Sequence, residues 1–231
     1  TFLDANHCPG AAMVLFEPVG GRPTLHTGDC RCSPAMQRDP RLAALRGGLD
    51  LILDTTYCDP RHAFPLQEHC CQFVVDTIRR EGFNFEKTLV LFGTYTIGKE
   101  KVFLEAARQL GRPVYAGKRK RRVLQCLELT EEEVGLITPD DKATNLHVVE
   151  MRKVSFEAMK GILLYWRKRF DAVIGFSPTG WSASRSGAGD GRQGTLDARN
   201  PAAQVSRARA NLGRRRASGK SMVIYEVPYS E

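Results

Sequence analysis

No Cys-x-x-Cys pair occurs in the 231 residues, and the seven cysteines are odd in number and scattered. Cys30 and Cys32 flank a single residue, and Cys70 and Cys71 are adjacent. This pattern excludes a disulfide framework and zinc-finger spacing, and it points to a reducing compartment. No apolar run reaches the roughly 18 residues that a membrane helix needs. No signal peptide and no internal repeat is visible. Acidic residues are in the minority, 26 against 34 Lys and Arg, which leaves a net charge of +8. A basic excess of this size favours a polyanionic partner, most often nucleic acid, while an ordinary basic protein remains open. What is present supports a packed core, since 42% of the residues are hydrophobic. The length allows one large domain or two small ones. Thr1 already sits inside an apolar stretch, so the chain reads as a fragment cut at both ends.

The first part is strand-like. The run Ala11 to Phe16 leads into Glu17–Pro23, a Gly/Pro turn of hairpin type, and Thr24–Asp29 returns as a short strand. "LDLILDTTY" is an almost continuous apolar run that predicts a strand buried on both faces. The pattern then changes. "FPLQEHCCQFVVDTIRREG" carries helical spacing and ends on a helix stop. "TLVLFGTYTIG" predicts a buried strand, "KEKVFLEAARQLG" a helix, and "PVYAG" a short strand before "KRKRRVLQCL". "EAMKGILLYWRKRF" predicts an amphipathic helix, and "DAVIGFSPTGW" a strand running into a turn. Strand–helix–strand order marks an α/β layer. Residues 182–219, rich in Gly, Ser, Ala and Arg, predict a long flexible basic loop. "SMVIYEVPYSE" resumes as a strand.

Three apolar strands among the first 57 residues end on an ionisable group, at His7, Asp29 and Asp54. Strand ends in layered α/β proteins are where ligands bind, because loops converge on one edge there. One histidine and two carboxylates suit a divalent metal. Each residue also has an ordinary explanation. A strand-terminal aspartate is a common turn former or helix cap, and a buried histidine is commonly a satisfied core group.

Six blocks decide further: "FLDANHCPGA", "HTGDCR", "LDTTYCDP", "GTYTIGKEKVF", "PTGW" and "PYSE", in this order. Together they resemble the metallo-β-lactamase/β-CASP DNA-repair nucleases. Within these the chain is most similar to the DNA interstrand cross-link repair exonucleases, named for sensitivity to nitrogen mustard and related to Artemis. The resemblance covers nearly the whole chain except residues 182–219. It implies part of a metallo-β-lactamase αββα sandwich over residues 1–57. An inserted β-CASP α/β domain would follow over 58–222, with a return strand to the first domain over 223–231. It implies that His7 and Asp29 are metal ligands, with Asp29 bridging one or two divalent ions, zinc in the first place. Only a carboxylate offers two oxygens to cations roughly 3.5–4 Å apart. It makes Asp54 an active-site acid that orients a histidine ligand or the attacking water. The family's His-x-His-x-Asp-His block does not occur in the chain, and a further family histidine follows the "PYSE" block. A piece with two ligands is expected to bind metal weakly and to be inactive alone.

The resemblance also implies a nuclear 5′→3′ DNA exonuclease of cross-link and double-strand break repair, with single strands, 5′ ends and damaged or cross-linked DNA as partners and no membrane. Repair-protein partners are left unidentified. In "GTYTIGKEK" a helix N-terminus beside a strand end would place Tyr95, Thr96, Gly98 and Lys99 near a phosphate. The alternative is an ordinary capped helix with a solvated lysine. Lys118, Arg119, Lys120, Arg121 and Arg122 would track a phosphate backbone, serve as an import signal, or form a solvated face. Arg214–Arg216 are expected to add only non-specific attraction. Trp181 would stack on a base or pack in a hinge. Two rival functions stand beside this one: an RNA-processing β-CASP nuclease, and a non-catalytic DNA-end-binding scaffold.

Overall fold

A computed structural model describes residues 1–45, 47–59, 64–81, 84–180, 214–219 and 221–230. The chain divides into two compact units, one of residues 1–59 and one of residues 60–230. Both are mixtures of strands and helices.

The first unit is a four-stranded sheet in the order β1 (Phe2–Asp4), β2 (Ala12–Phe16), β3 (Thr24–His26), β4 (Asp50–Ile52). β2 runs antiparallel to both β1 and β3, and β4 runs parallel to β3. The C-terminal ends of β1, β3 and β4 therefore leave the sheet at one edge. Alternation puts Leu3, Met13, Leu15 and Leu25 on the buried side, where they form the core with Ala5. Two short helices follow β3. α1 (Pro34–Arg38) is capped by Ser33 and α2 (Pro40–Ala44) by Asp39, each with proline in the first turn. β4 departs from the expected doubly buried strand, since Leu51 and Ile52 are 53% and 51% exposed. Among the described residues it pairs with β3 alone, at the edge of the sheet, and the core of this unit draws on β1 to β3 instead.

The second unit is built on a seven-stranded sheet. Its strands are β5 (Thr88–Thr94), β6 (Val114–Tyr115), β7 (Ile137–Thr138), β8 (Leu146–Glu150), β9 (Ala172–Pro178), β10 (Arg214–Ser218) and β11 (Met222–Val227). The order across the sheet is β10-β11-β9-β5-β8-β6-β7, parallel throughout except for the antiparallel β10–β11 pair. β5 is buried along its whole length, as a central parallel strand must be. One face is covered by α3 (Gln67–Arg80), α4 (Glu100–Leu110) and the end of α5 (Lys118–Leu124), packed on Val90 and Phe92. The other is covered by α7 (Phe156–Tyr165), packed on Leu89 and Leu91. A short helix, α6 (Glu131–Gly135), starts on a capping box made by Thr130 and Glu133. On the α3/α4 face Phe92, Phe176 and Tyr225 stack across three neighbouring strands, with centroid separations of 5.9 and 5.6 Å. On the α7 face Gly175 gives room, since a Cβ there would lie 2.8 Å from Met159 Sδ and from Val154 Cγ1.

Two expectations are corrected here. The segment expected to return to the first unit instead supplies β11 (Met222–Val227), which lies between β10 and β9 in the second sheet, where Val223, Ile224 and Val227 are buried. Arg214–Ser218 is not loop but the outer strand β10, joined to β11 through Gly219 at φ +64°. An edge strand tolerates charge, and Arg215 and Arg216 find partners. Arg215 Nε donates to Glu81 Oε1 at 3.2 Å, and Arg216 meets Glu226 at 2.8 Å. Tyr225 also donates to Glu81, and burial, with that carboxylate beside it, pushes its phenol up to about 12. The rest of the predicted loop, 182–213, and Trp181 lie outside the described residues.

Candidate active site and its family

The edge where β1, β3 and β4 end carries His7, Asp29 and Asp54. Each position is held by its own local device. After β1 the chain turns on Asn6, at φ 51°, a left-handed conformation that asparagine tolerates. Asp4 Oδ1 accepts from Asn6 N at 2.9 Å, and Asn6 Nδ2 donates to Arg31 O at 3.0 Å. Behind His7, Ala11 N donates to Cys8 O at 2.9 Å, closing a Pro9-Gly10 turn in which Gly10 takes φ +84°. After β3, Gly28 adopts φ +54° and turns the chain so that Asp29 projects, 81% exposed at its side chain. His7 Nε2 lies 3.9 Å from Asp29 Oδ2.

Asp54 is tied in by hydrogen bonds. Its Oδ2 accepts from Cys30 N at 3.2 Å and its Oδ1 from Thr56 N at 2.8 Å. Hydrogen bonds from Thr56, through hydroxyl and then backbone N–H, hold its carboxyl below the usual carboxylate range. The Cys30 N–H and the nearby His7 add to that. Burial pushes the Cys30 thiol up, and the neighbouring Cys32 and Asp54 add to the shift. Thr27, which sequence reasoning missed, is the hub of this arrangement. Its hydroxyl accepts from Asp54 N and donates to Gly28 O, both at 2.9 Å, and its N–H donates to Ile52 O at 3.0 Å. The available signal was a threonine directly before a Gly-Asp strand end.

The three residues singled out are thus brought together. The donor set, an imidazole and two carboxylates, has the mixed nitrogen and oxygen character a divalent cation accepts. It fits part of a coordination shell: among the described residues no group of three His, Cys, Asp or Glu side chains is arranged to hold a metal ion.

In the second unit, β5 ends at Thr94 and α4 begins at Glu100, as expected. The connecting turn is left-handed at Gly98, φ 103°, and at Lys99, φ 70°. Tyr95 and Thr96 are exposed. Lys99 is not a solvated lysine: it is 5% exposed, with Nζ 5.6 Å from the Tyr95 ring centroid and 5.1 Å from that of Tyr229. Cations sit favourably over such ring faces. The five basic residues after Gly117 form α5 and do not act alike. Lys118, Arg119 and Arg122 are exposed. Arg121 Nε donates to Ala116 O at 3.1 Å. Lys120 Nζ donates to Tyr95 O at 3.2 Å, Thr96 O at 3.1 Å and Glu100 Oε1 at 2.7 Å. The same Glu100 oxygen accepts from Gly98 N at 3.0 Å. Lys120 and Glu100, 12% and 10% exposed at their side chains, therefore pin the Tyr95–Lys99 turn.

Comparison with known proteins places this arrangement. The chain is 44% identical over 184 residues to the DNA cross-link repair 1A protein of Gallus gallus, covering 80% of this chain and 19% of that protein. It is 39% identical over 235 residues to the DNA cross-link repair protein SNM1 of Arabidopsis thaliana, covering 100% of this chain and 43% of that one. It is 35% identical over 181 residues to the 5′ exonuclease Apollo of Gallus gallus, covering 78% and 36%. The chain thus spans less than half the length of each. Residues 131–231 match the family described as DNA repair metallo-beta-lactamase. These matches agree with the ordered blocks of the sequence: the chain belongs to the DNA repair metallo-β-lactamase family.

Proposed function

We propose that this chain is the part of a metal-dependent 5′→3′ DNA exonuclease that carries His7, Asp29 and Asp54, acting in cross-link and double-strand break repair in the nucleus. The observation that carries it is the His7–Asp29 pair, 3.9 Å apart at the edge where three strands end, with Asp54 anchored there by the Cys30 and Thr56 N–H groups. The names of the relatives, DNA cross-link repair proteins and a 5′ exonuclease, support DNA over RNA and an enzyme over a scaffold. We assign residues 1–59 to the metallo-β-lactamase domain and residues 60–230 to the β-CASP insertion.

In this reading His7 and Asp29 hold divalent metal, zinc in the first place, which supplies charge stabilisation for the attacking and leaving oxygens of a phosphodiester. The protein's own part is positional. Thr27 and Gly28 fix where Asp29 projects. Asp54, anchored by the Cys30 and Thr56 N–H groups, fixes the loop that carries Asp29 and orients its neighbours. The exposed side chains of Tyr95, Thr96, Lys118, Arg119 and Arg122 take the strand by its backbone, so base preference is slight. Buried Lys99, near the Tyr95 and Tyr229 rings, adds positive charge beside the exposed Tyr95 and Thr96 rather than a surface contact, and Gly98 supplies the left-handed turn that places it.

The test uses the full-length protein with matched 5′-phosphorylated DNA and RNA strands, with and without a chelator. The expected result is chelator-sensitive release of nucleotides from the 5′ end of DNA. Degradation of RNA in preference to DNA overturns the DNA assignment. DNA binding without any hydrolysis, in a protein with metal bound, overturns the enzyme assignment.

A further inference from the structure

The second sheet contains a crevice lined in part by Tyr95, Thr96, Lys118 and Arg119, which are assigned above to the strand backbone, and in part by residues with no role so far. From β5 the chain crosses by α4, over the face of Val90 and Phe92, toward β6. From its neighbour β8 the chain crosses by α7, over the opposite face, toward β9. Adjacent parallel strands whose connections leave in opposite directions open a gap at their C-terminal ends, and ligands of open α/β sheets bind in such gaps. Here the gap is a cavity of about 570 Å³, lined among others by Tyr95, Lys118, Arg119, Val123, Val148 and Met151. That size falls in the usual range for small-ligand pockets, about 300–1,000 Å³.

The lining has two characters. Val123, Val148 and Met151 supply an apolar wall, and the half-exposed Tyr95 lines the cavity with them. The charges sort themselves. Glu150 and Arg152 pair with each other at 2.5 Å. Lys120 is occupied by the Tyr95–Glu100 turn. Lys118 and Arg119 supply the cationic excess, with the Arg119 charge also acting on Glu150. A ligand for this cavity needs a flat, largely apolar part and an anionic part a few ångströms away. A nucleotide has both.

We propose that the crevice at the ends of β5, β8 and β6 is a subsite for one nucleotide, its base against Val123, Val148 and Met151 and its phosphate on Lys118 and Arg119. The choice of a nucleotide within a DNA strand as occupant rests on the DNA reading above, whereas the cavity and its chemistry do not. The base is held by stacking and apolar contact, which every base can make. The phosphate is held by charge-assisted hydrogen bonds, for which the arginine fork is suited.

The test is a set of titrations of the full chain, followed through backbone amide resonances, with deoxyadenosine 5′-monophosphate, inorganic phosphate and a ten-nucleotide single strand. The expected result is saturable shifts from the mononucleotide at Thr94–Thr96 and at residues 148–152, with inorganic phosphate binding at least about tenfold more weakly. Arg119→Glu, an exposed substitution that leaves the core alone, should weaken the mononucleotide about tenfold. Val123→Trp should block it by filling the cavity, and Arg119→Gln, with an intermediate loss, carries the test if that variant does not fold. Equal affinity for inorganic phosphate reduces the site to an anion patch and overturns the proposal. Shifts centred elsewhere, or insensitivity to Arg119→Glu, overturn it too. Binding of the oligonucleotide with the mononucleotide silent overturns the subsite and leaves the DNA reading standing. Binding of the mononucleotide alone keeps the subsite and removes the DNA reading, and silence from both removes both.

Discussion

Lys120 and its four basic neighbours look equivalent in sequence, and their environments are not. A run of like charge says nothing about which members face solvent until the helix that carries them is known, and α5 was not legible in "KRKRRVLQCL". Lys120 is consumed by two carbonyls and a carboxylate from a turn 20 to 25 residues earlier. Removing one partner of a buried pair strands the other charge, at a cost on the order of 3 kcal/mol. Lys120→Met should therefore destabilise the protein by about that much, and Arg122→Ala by less than about 0.5 kcal/mol. A double-mutant cycle with Glu100→Gln in denaturant titrations checks this, and additive losses would show the pair to be uncoupled. His147 gives a second residue-scale expectation. It is 4% exposed, with Nε2 3.0 Å from Asp141 O and 3.3 Å from Thr144 O, and edge-on to Trp166. Burial holds its pKa below the ordinary 6.5, despite the two carbonyls that favour a proton on the ring. The neutral ring's contribution to stability is fully present above 6.5 and is lost as pH falls from there through the lower folded-state value. Unfolding midpoints in urea from pH 8 to 4.5 should fall across that window, and His147→Gln should flatten the slope.

Elements were legible where the hydrophobic period was long and unbroken. "TLVLFGTYTIG" and "KEKVFLEAARQLG" gave β5 and α4 because a buried parallel strand and an amphipathic helix each leave an unambiguous pattern. α7 stops at Tyr165, although the apolar spacing continues, because Trp166 leaves helical geometry and its ring packs against Phe170 and His147. β10 was not legible at all. Its residues, Arg214–Ser218, read as loop because edge strands carry charge and need no apolar face. The ion pair that accounts for Arg215 joins it to Glu81, a long way off in sequence. The consequence is testable by truncation. Replacing residues 182–213 with a short Gly/Ser linker should leave the unfolding midpoint within a few degrees. Replacing 182–219 deletes β10, bares the edge of β11 and removes the Arg215–Glu81 ion pair, so the midpoint should fall much further. Equal effects would show that β10 contributes nothing to the sheet.

At the scale of the whole molecule the two units divide the proposed labour: the first carries the groups assigned to metal, and the second carries the exposed charge assigned to the strand. The placement of His7, Asp29 and Asp54 past strand ends was legible, because topology sends β1, β3 and β4 out at one edge. The supporting Thr27 was not, because a hydroxyl's partners are set by the fold. This division predicts that chemistry and binding fail separately. In the full-length protein, Asp29→Ala removes the oxygens assigned to metal and should abolish hydrolysis, while Coulomb attraction to DNA from the second unit persists and affinity falls only modestly. Neutralising Lys118, Arg119 and Arg122 to glutamine, with Lys120 and Arg121 kept for their structural bonds, should do the reverse. Each phosphate left without its cation flattens the log–log salt dependence by about 0.7 for single strands, so the three substitutions together lower the slope by about 2. The single-turnover rate at saturating DNA should fall by less than the affinity does, because these side chains are assigned to holding the strand rather than to charge that develops in the transition state. Titrations across salt, paired with single-turnover rates, separate the cases. An unchanged salt slope in the triple variant would make α5 a solvated face and move the backbone-binding role elsewhere. An Asp29→Ala protein that still cleaves would remove this aspartate from the metal site.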